Sequence, residues 1–184
     1  MRFEESLSIG RASESAIAKW LRSRGWAVLP AYEKAGSEFK GPQVFFPESC
    51  ALVAPDFLSW RGKCARWIEA KHKTAFSWHR ITQRWVTGID LRHYMDYCAL
   101  ADKSPWPVWL LFLHTGGQAK DSPVSPAGLF CQTLDELRLR ENHRSSQWGR
   151  SGMVYWAVDS LIRLADADSL ASDVAENDEC MVAA

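Results

Sequence analysis

Asp56, Glu69 and Lys71 are the residues of this chain best placed to do chemistry. They lie in LVAPDFLSWRGKCARWIEAKHK, residues 52–73, where two strand-like runs flank Arg61-Gly62-Lys63. Glycine in the first position of a two-residue loop suits a type II′ hairpin turn. With Gly62-Lys63 as that loop, Arg61 faces Cys64 and the ladder sets Asp56 opposite Glu69. Directly opposed side chains stand roughly 4.5–5.5 Å apart at Cβ. Lys71 follows Glu69 by two residues, so both point to one face of the strand. Two acids and an amine on one patch of sheet can hold a divalent cation. Hard cations such as Mg²⁺ take oxygen ligands, usually one or two carboxylates with substrate phosphates and water. Such an ion also offsets the repulsion between opposed carboxylates. The plain alternative is an exposed strand face with three solvated charges, the common fate of charged residues. The apolar neighbours Phe57, Leu58, Trp67 and Ile68 speak for the first reading.

The elements that must position this hairpin follow from periodicity. Ile9, Ala12, Ala16, Ile17, Trp20 and Leu21 recur at helical spacing, so residues 3–24 read as an amphipathic helix. Gly25 ends it, with Arg22 and Arg24 in the last turn. Residues 26–32 read as a strand that Pro30 confines to a sheet edge. Residues 33–50 are rich in Gly, Pro, Ser and charge without a period, and read as a long loop. After the hairpin, 74–88 reads as a surface loop of mixed aromatics and cations, and 88–102 as a helix. VWLLFL at 108–113 is continuously apolar, the mark of a buried central strand. Further on come a loop (114–127), a short strand (128–132), a short helix (134–141), a polar loop (142–152) and a strand (153–158). Asp159 reads as the N-cap of a last helix through Leu164.

Pro55-Asp56, a spacer, and Glu69-Ala70-Lys71 resemble the PD-(D/E)XK nuclease signature. The context resembles it too: helix, strand, hairpin, helix, strand, over roughly residues 6–113. The resemblance implies an α/β, restriction-endonuclease-like core. Its central mixed sheet would be flanked by helices, here with a C-terminal α/β extension. It implies that Asp56, Glu69 and the carbonyl of Ala70 hold Mg²⁺, with Mn²⁺ as a substitute. It gives Lys71 the orientation or activation of the attacking water, and Glu14 on the first helix a supporting acidic role. Holliday-junction resolvases and phage or mobile-element nucleases share this architecture. The resolvases are usually dimers, so a homodimer is implied as well as a DNA partner.

Charge distribution agrees with a phosphate-bearing partner. The chain has 22 basic and 22 acidic residues, but residues 159–184 hold seven acids and one base. Residues 60–94 hold eight Lys or Arg against Glu69 and Asp90 alone. A local basic surface matters more for phosphate than net charge does. Lys63, Arg66, Lys73, Arg80 and Arg84 are therefore candidates for the nucleic-acid backbone. Trp78, His79 and Gln83 are candidates for bases, since exposed rings stack on unpaired bases. His79 is also a candidate general acid for the leaving oxygen.

A length of 184 residues suits one domain, read here as 1–165 with an acidic, frayed tail at 166–184. No apolar run approaches the roughly 20 residues that span a bilayer. The first ten residues carry acids where a signal peptide has a basic end, so the expected location is cytoplasmic, without membrane contact. Cys50, Cys64, Cys98, Cys131 and Cys180 lack zinc-ligand spacing, which excludes a zinc module. Two functions stay open: a metal-dependent DNA endonuclease, and a nucleic-acid-binding module without cleavage. The chain keeps both acids and the lysine, which favours the first.

Overall fold

The apolar run at 108–113 lies where such a run must, in the middle of a sheet covered on both faces. The computed structural model describes residues 14–31, 43–47, 51–118, 122–147, 149, 151–166 and 170. In chain order the elements begin with helix α1 over 14–23, then strands β1 (Ala27–Pro30), β2 (Gln43–Phe45) and β3 (Ala51–Val53). Next come β4 (Phe57–Arg61), β5 (Cys64–Lys73), β6 (Ser77–His79), β7 (Arg84–Asp90) and α2 (Leu91–Lys103). The chain continues through β8 (Val108–His114), β9 (Gly128–Thr133), α3 (Leu134–Leu139) and β10 (His143–Ser145). It finishes with β11 (Met153–Ala157), a 3₁₀ turn (Val158–Ser160) and β12 (Ile162–Ala165).

The main sheet is six-stranded and mixed, in the order β1-β4-β5-β8-β9-β12. β5 and β8 are its parallel pair, and its other neighbours are antiparallel. Ile17, Trp20 and Leu21 of α1 cover one face, against Ile68, Leu111 and Leu129. Tyr97 and Leu100 of α2, Leu137 of α3 and Trp156 of β11 cover the other, against Leu110, Phe112 and Phe130. Each such side chain, fully buried, contributes roughly 1.5–3 kcal/mol. The class is α/β with a central mixed sheet flanked by helices, and the order helix, strand, hairpin, helix, strand is present with short strand pairs inserted.

The structure corrects five expectations. The 33–50 segment is not all loop, because β2 pairs with β3 and sets Val44 against Leu52; residues 33–42 and 48–50 lie outside the described residues. The 74–88 segment is a hairpin, β6–β7, in which Trp78 pairs with Trp85. Its two strands are parted by the polar turn at 80–83, so no continuous period-two run marks them in the sequence. α2 starts at Leu91 rather than Gly88, with Asp90 as a side-chain N-cap to the Arg92 amide. Residues 143–145 of the polar loop form β10 beside β11. Finally, Asp159 caps no helix: Ile162–Ala165 completes the main sheet as β12 against β9. A short run such as IRLA fits either period, and the open edge of β9 decides it.

β10-β11-β7-β6 form a second sheet. In a flat sheet its outer strands would stand about 14 Å apart. Yet His79 of β6 and His143 of β10 stack with ring centroids 4.2 Å apart. The sheet therefore curls, bringing its edges together. Gly88 permits this: a Cβ there would lie 2.3 Å from the Val154 carbonyl oxygen and 2.7 Å from the Tyr155 ring. Of the segment read as an acidic tail, Asp166 and Leu170 are described, and Leu170 is buried beside α1 and β9.

Candidate active site

The turn that sets the site is built as its sequence requires. Gly62 has φ +60° and Lys63 keeps a negative φ, the type II′ pattern. Arg61 pairs with Cys64 and Phe57 with Ile68. Asp56 is the next residue beyond that last pair, and Glu69 stands across from it. The Ala70 amide donates to Asp56 Oδ2 at 2.8 Å. A residue in a strand sends its N–H and C=O to the same side, so the Ala70 carbonyl also points toward the Asp56 side.

Glu69 is 1 % exposed and ion-pairs through Oε1 with the Lys71 ammonium, whose side chain is 30 % exposed. Glu69 Oε2 is buried and has no hydrogen-bond partner among the described residues. The charges couple strongly. Burial, and then Glu69, push the Asp56 carboxyl well above the usual carboxylate range, against Lys71 and the Ala70 amide. Burial alone would lower the Lys71 ammonium, but Glu69 and Asp56 outweigh it and hold it above its ordinary value. The Glu14 carboxylate on α1 acts on both Asp56 and Lys71. Asp56, Glu69, Lys71 and Glu14 thus form one electrostatic cluster.

Two residues at this site are absent from the sequence-based candidates. Tyr97 of α2 is 2 % exposed and lies beside Glu69; burial and that carboxylate push its phenol well above the usual range. It therefore keeps its proton and can offer it to Glu69. His114 pairs with Lys73 across β8 and β5 and stacks on Phe76 at 3.6 Å. Burial, with Lys73 and His72 nearby, holds it down to about 3, so it stays neutral. Tyr97 has a sequence signal only in hindsight, as an apolar-face helix residue bearing a hydroxyl. His114 has none beyond closing a buried strand.

Asp56 and Glu69 fit a hard divalent cation. The buried Oε2 is a carboxylate oxygen without a hydrogen-bond partner among the described residues, and a buried unpaired acceptor is costly. Among the described residues no group of three or more His, Cys, Asp or Glu converges as a cage. The fit is thus to an ion held by two carboxylates with help from a carbonyl, completed by substrate and water.

The candidates for nucleic-acid contact scatter. Lys73 shares the face of Glu69 and Lys71; burial and Lys71 lower its ammonium. Arg66 lies on the opposite face, its guanidinium 3.8 Å from the Trp26 ring centroid and 4.7 Å from that of Trp109. Lys63, at the hairpin tip, is six residues from Glu69, about 20 Å along a strand. Trp78 is half-buried, edge to face with Trp85 at 5.0 Å. Arg84 is exposed and pairs with Asp159 at 3.2 Å. His79, Arg80 and Gln83 cluster at the β6–β7 turn, where the Gln83 amide donates to the Arg80 carbonyl at 2.5 Å. No helix among the described residues is long and apolar enough to cross a membrane.

No protein-family model and no curated protein matches the sequence. Among solved structures, one that is similar is that of Hjc from Archaeoglobus fulgidus, a Holliday junction resolvase from an archaeal hyperthermophile. It is 11 % identical, with 82 % of this chain and 90 % of that chain covered and a TM-score of 0.47.

Proposed function

We propose that this chain is a metal-dependent endonuclease that hydrolyses phosphodiester bonds in DNA. The observation that carries it is the shared patch of Asp56, Glu69 and Lys71, with Glu69 Oε2 buried and unpartnered among the described residues. Asp56, Glu69 and the Ala70 carbonyl would hold Mg²⁺ or Mn²⁺. When bound, such an ion offsets charge on the phosphate and makes water a better nucleophile. The residues supply the rest. The Ala70 amide fixes one Asp56 oxygen in place. Tyr97 steadies Glu69 from α2. Lys71, kept charged by Glu69 and Asp56, offers an ammonium at the surface to charge developing on the phosphate or to the attacking water. Glu14 adds a further carboxylate at the rim. Lys73, and Arg80 on the β6–β7 turn, are the cations we assign to the DNA backbone. We read residues 1–165 as the nuclease domain and 166–184 as an acidic segment that returns Leu170 to its core. A homodimer is the assembly that the family resemblance suggests.

The test is a cleavage time course on circular single-stranded, duplex and four-way-junction DNA with Mg²⁺, Mn²⁺ or a chelator, run beside binding isotherms in Ca²⁺. Cleavage should need the metal. Lys71→Ala should lower the rate about 10²–10⁴-fold while DNA affinity changes little, since one cation among several contributes only its share. A parent protein that binds but never cuts would favour the binding module. Sedimentation of the same samples gives the oligomeric state.

A further inference from the structure

We propose that the curled second sheet is a base-binding subsite, which receives an unpaired DNA base displaced by the β6–β7 turn. This rests on DNA being the ligand. Three observations point to it. His79, His143 and Tyr155 form one continuous ring stack, with centroid spacings of 4.2 and 4.5 Å and interplanar angles of 17° and 8°. The stack lines a cavity of about 450 Å³, which Ser77 and Ser145 line as well. Sites that take a flipped base read it by ring stacking and by hydrogen bonds to its polar edge. Both kinds of group are present here. His79 Nδ1 is engaged by Thr82 Oγ1 at 2.7 Å and His143 Nδ1 by Asn142 Oδ1 at 2.8 Å. No described residue bonds either Nε2, which leaves both able to donate or accept.

The turn itself supplies the other two observations. Ile81 is 88 % exposed, two residues from His79. The turn that presents it is closed by the Gln83–Arg80 and His79–Thr82 bonds, with Gln83 at φ +52°. A closed turn that holds an aliphatic side chain out into water has the form of a wedge, the device that apolar side chains use to part stacked bases. Arg80 beside it is exposed and forms no ion pair among the described residues, so its charge is open to phosphate. Its neighbours Arg84 and Arg144 are already paired, with Asp159 and Glu141.

The experiment measures affinity by fluorescence anisotropy with the full chain and the cation chelated. The ligands are a single DNA strand, the same strand with central abasic sites, a perfect duplex and a duplex with one mismatch. The abasic strand should bind about tenfold more weakly than the intact one. Tyr155→Leu should erase that difference, and His79→Ala, at the rim, should do so without disturbing the sheet. Ile81→Ser should leave single-strand binding unchanged but weaken the mismatched duplex severalfold relative to the perfect one. Equal affinity for intact and abasic strands overturns the proposal. So does an equal loss on both strands in His79→Ala, or no effect of Ile81→Ser on the mismatched duplex. A protein that cuts DNA in Mg²⁺ yet shows no base preference loses this subsite and keeps the nuclease. One that binds no DNA loses both.

Discussion

The backbone N–H of Ala70 donates to the carboxylate of Asp56 at 2.8 Å. Ala70 lies between Glu69 and Lys71, so this bond ties the two halves of the motif together. It is a bond that an amide side chain can also accept, whereas a cation needs the carboxylate.

Asp56→Asn should therefore abolish metal-dependent cleavage yet stabilise the metal-free protein. Asp56 titrates above its ordinary value because it is buried and faces Glu69. For an acid raised in this way, the stabilising contribution is present at low pH and is lost as pH rises through the folded-state pKa. Once ionised, the group costs stability, and asparagine removes the cost. The melting temperature should rise by about 2–4 °C, the size of a roughly 1 kcal/mol gain in a domain this large. The variant should also lose the decline in stability above the carboxylate range. Melting curves across pH in chelator check both. An unchanged or lower melting temperature would show that the two carboxylates do not repel in the free protein.

Lys71→Ala should have the opposite effect on the metal-free protein. It leaves Glu69 buried without its ion-pair partner. Breaking a fully buried pair costs about 3–5 kcal/mol; with Lys71 30 % exposed, roughly 1–3 kcal/mol is expected. Mg²⁺ should restore most of the loss by supplying the missing positive charge. Urea denaturation with and without Mg²⁺ measures it. A loss that Mg²⁺ leaves untouched would separate the ion from Glu69.

Tyr97→Phe keeps the ring in the core and deletes the hydroxyl beside Glu69. Groups that orient a ligand from behind are commonly worth about 10–100-fold in metal affinity or activity. Calorimetric titration with Mn²⁺ should show a loss of that order, with the melting temperature nearly unchanged. Unaltered Mn²⁺ affinity would reduce Tyr97 to packing.

Leu170 gives a length test. It is 4 % exposed against the α1 side of the core. A chain ending at residue 165 should lose about 1.5–3 kcal/mol, whereas one ending at residue 172 should match the full chain. Equal stability of all three would mean that the described domain is complete without Leu170.

The arrangement of the candidate site was legible because its signals are local. Gly62 fixes the turn, the turn fixes the register, and period two fixes which side chains share a face. The same parity separates Arg66 from Glu69, since even and odd residues of β5 face opposite ways. Grouping Arg66 with the site by charge overlooked it. Tyr97 was illegible for another reason: it reaches Glu69 from a helix that begins 22 positions later in sequence, and no local pattern carries that distance. β6, β10 and β12 were missed because three- and four-residue strands owe their existence to the neighbours they pair with.

The curl of the second sheet also bears on how the molecule keeps to itself in a crowded solution. A bare strand edge is a template for another chain, and proteins blunt it with proline, charge or closure. The contact between the His79 and His143 rings brings the two edge strands of the smaller sheet together where they meet. The larger sheet ends in β1 and β12, where Pro30 withholds a donor at one rim and Arg163 sets an exposed charge at the other. Resistance to intermolecular strand pairing is thus achieved by shape in one sheet and by residue type in the other.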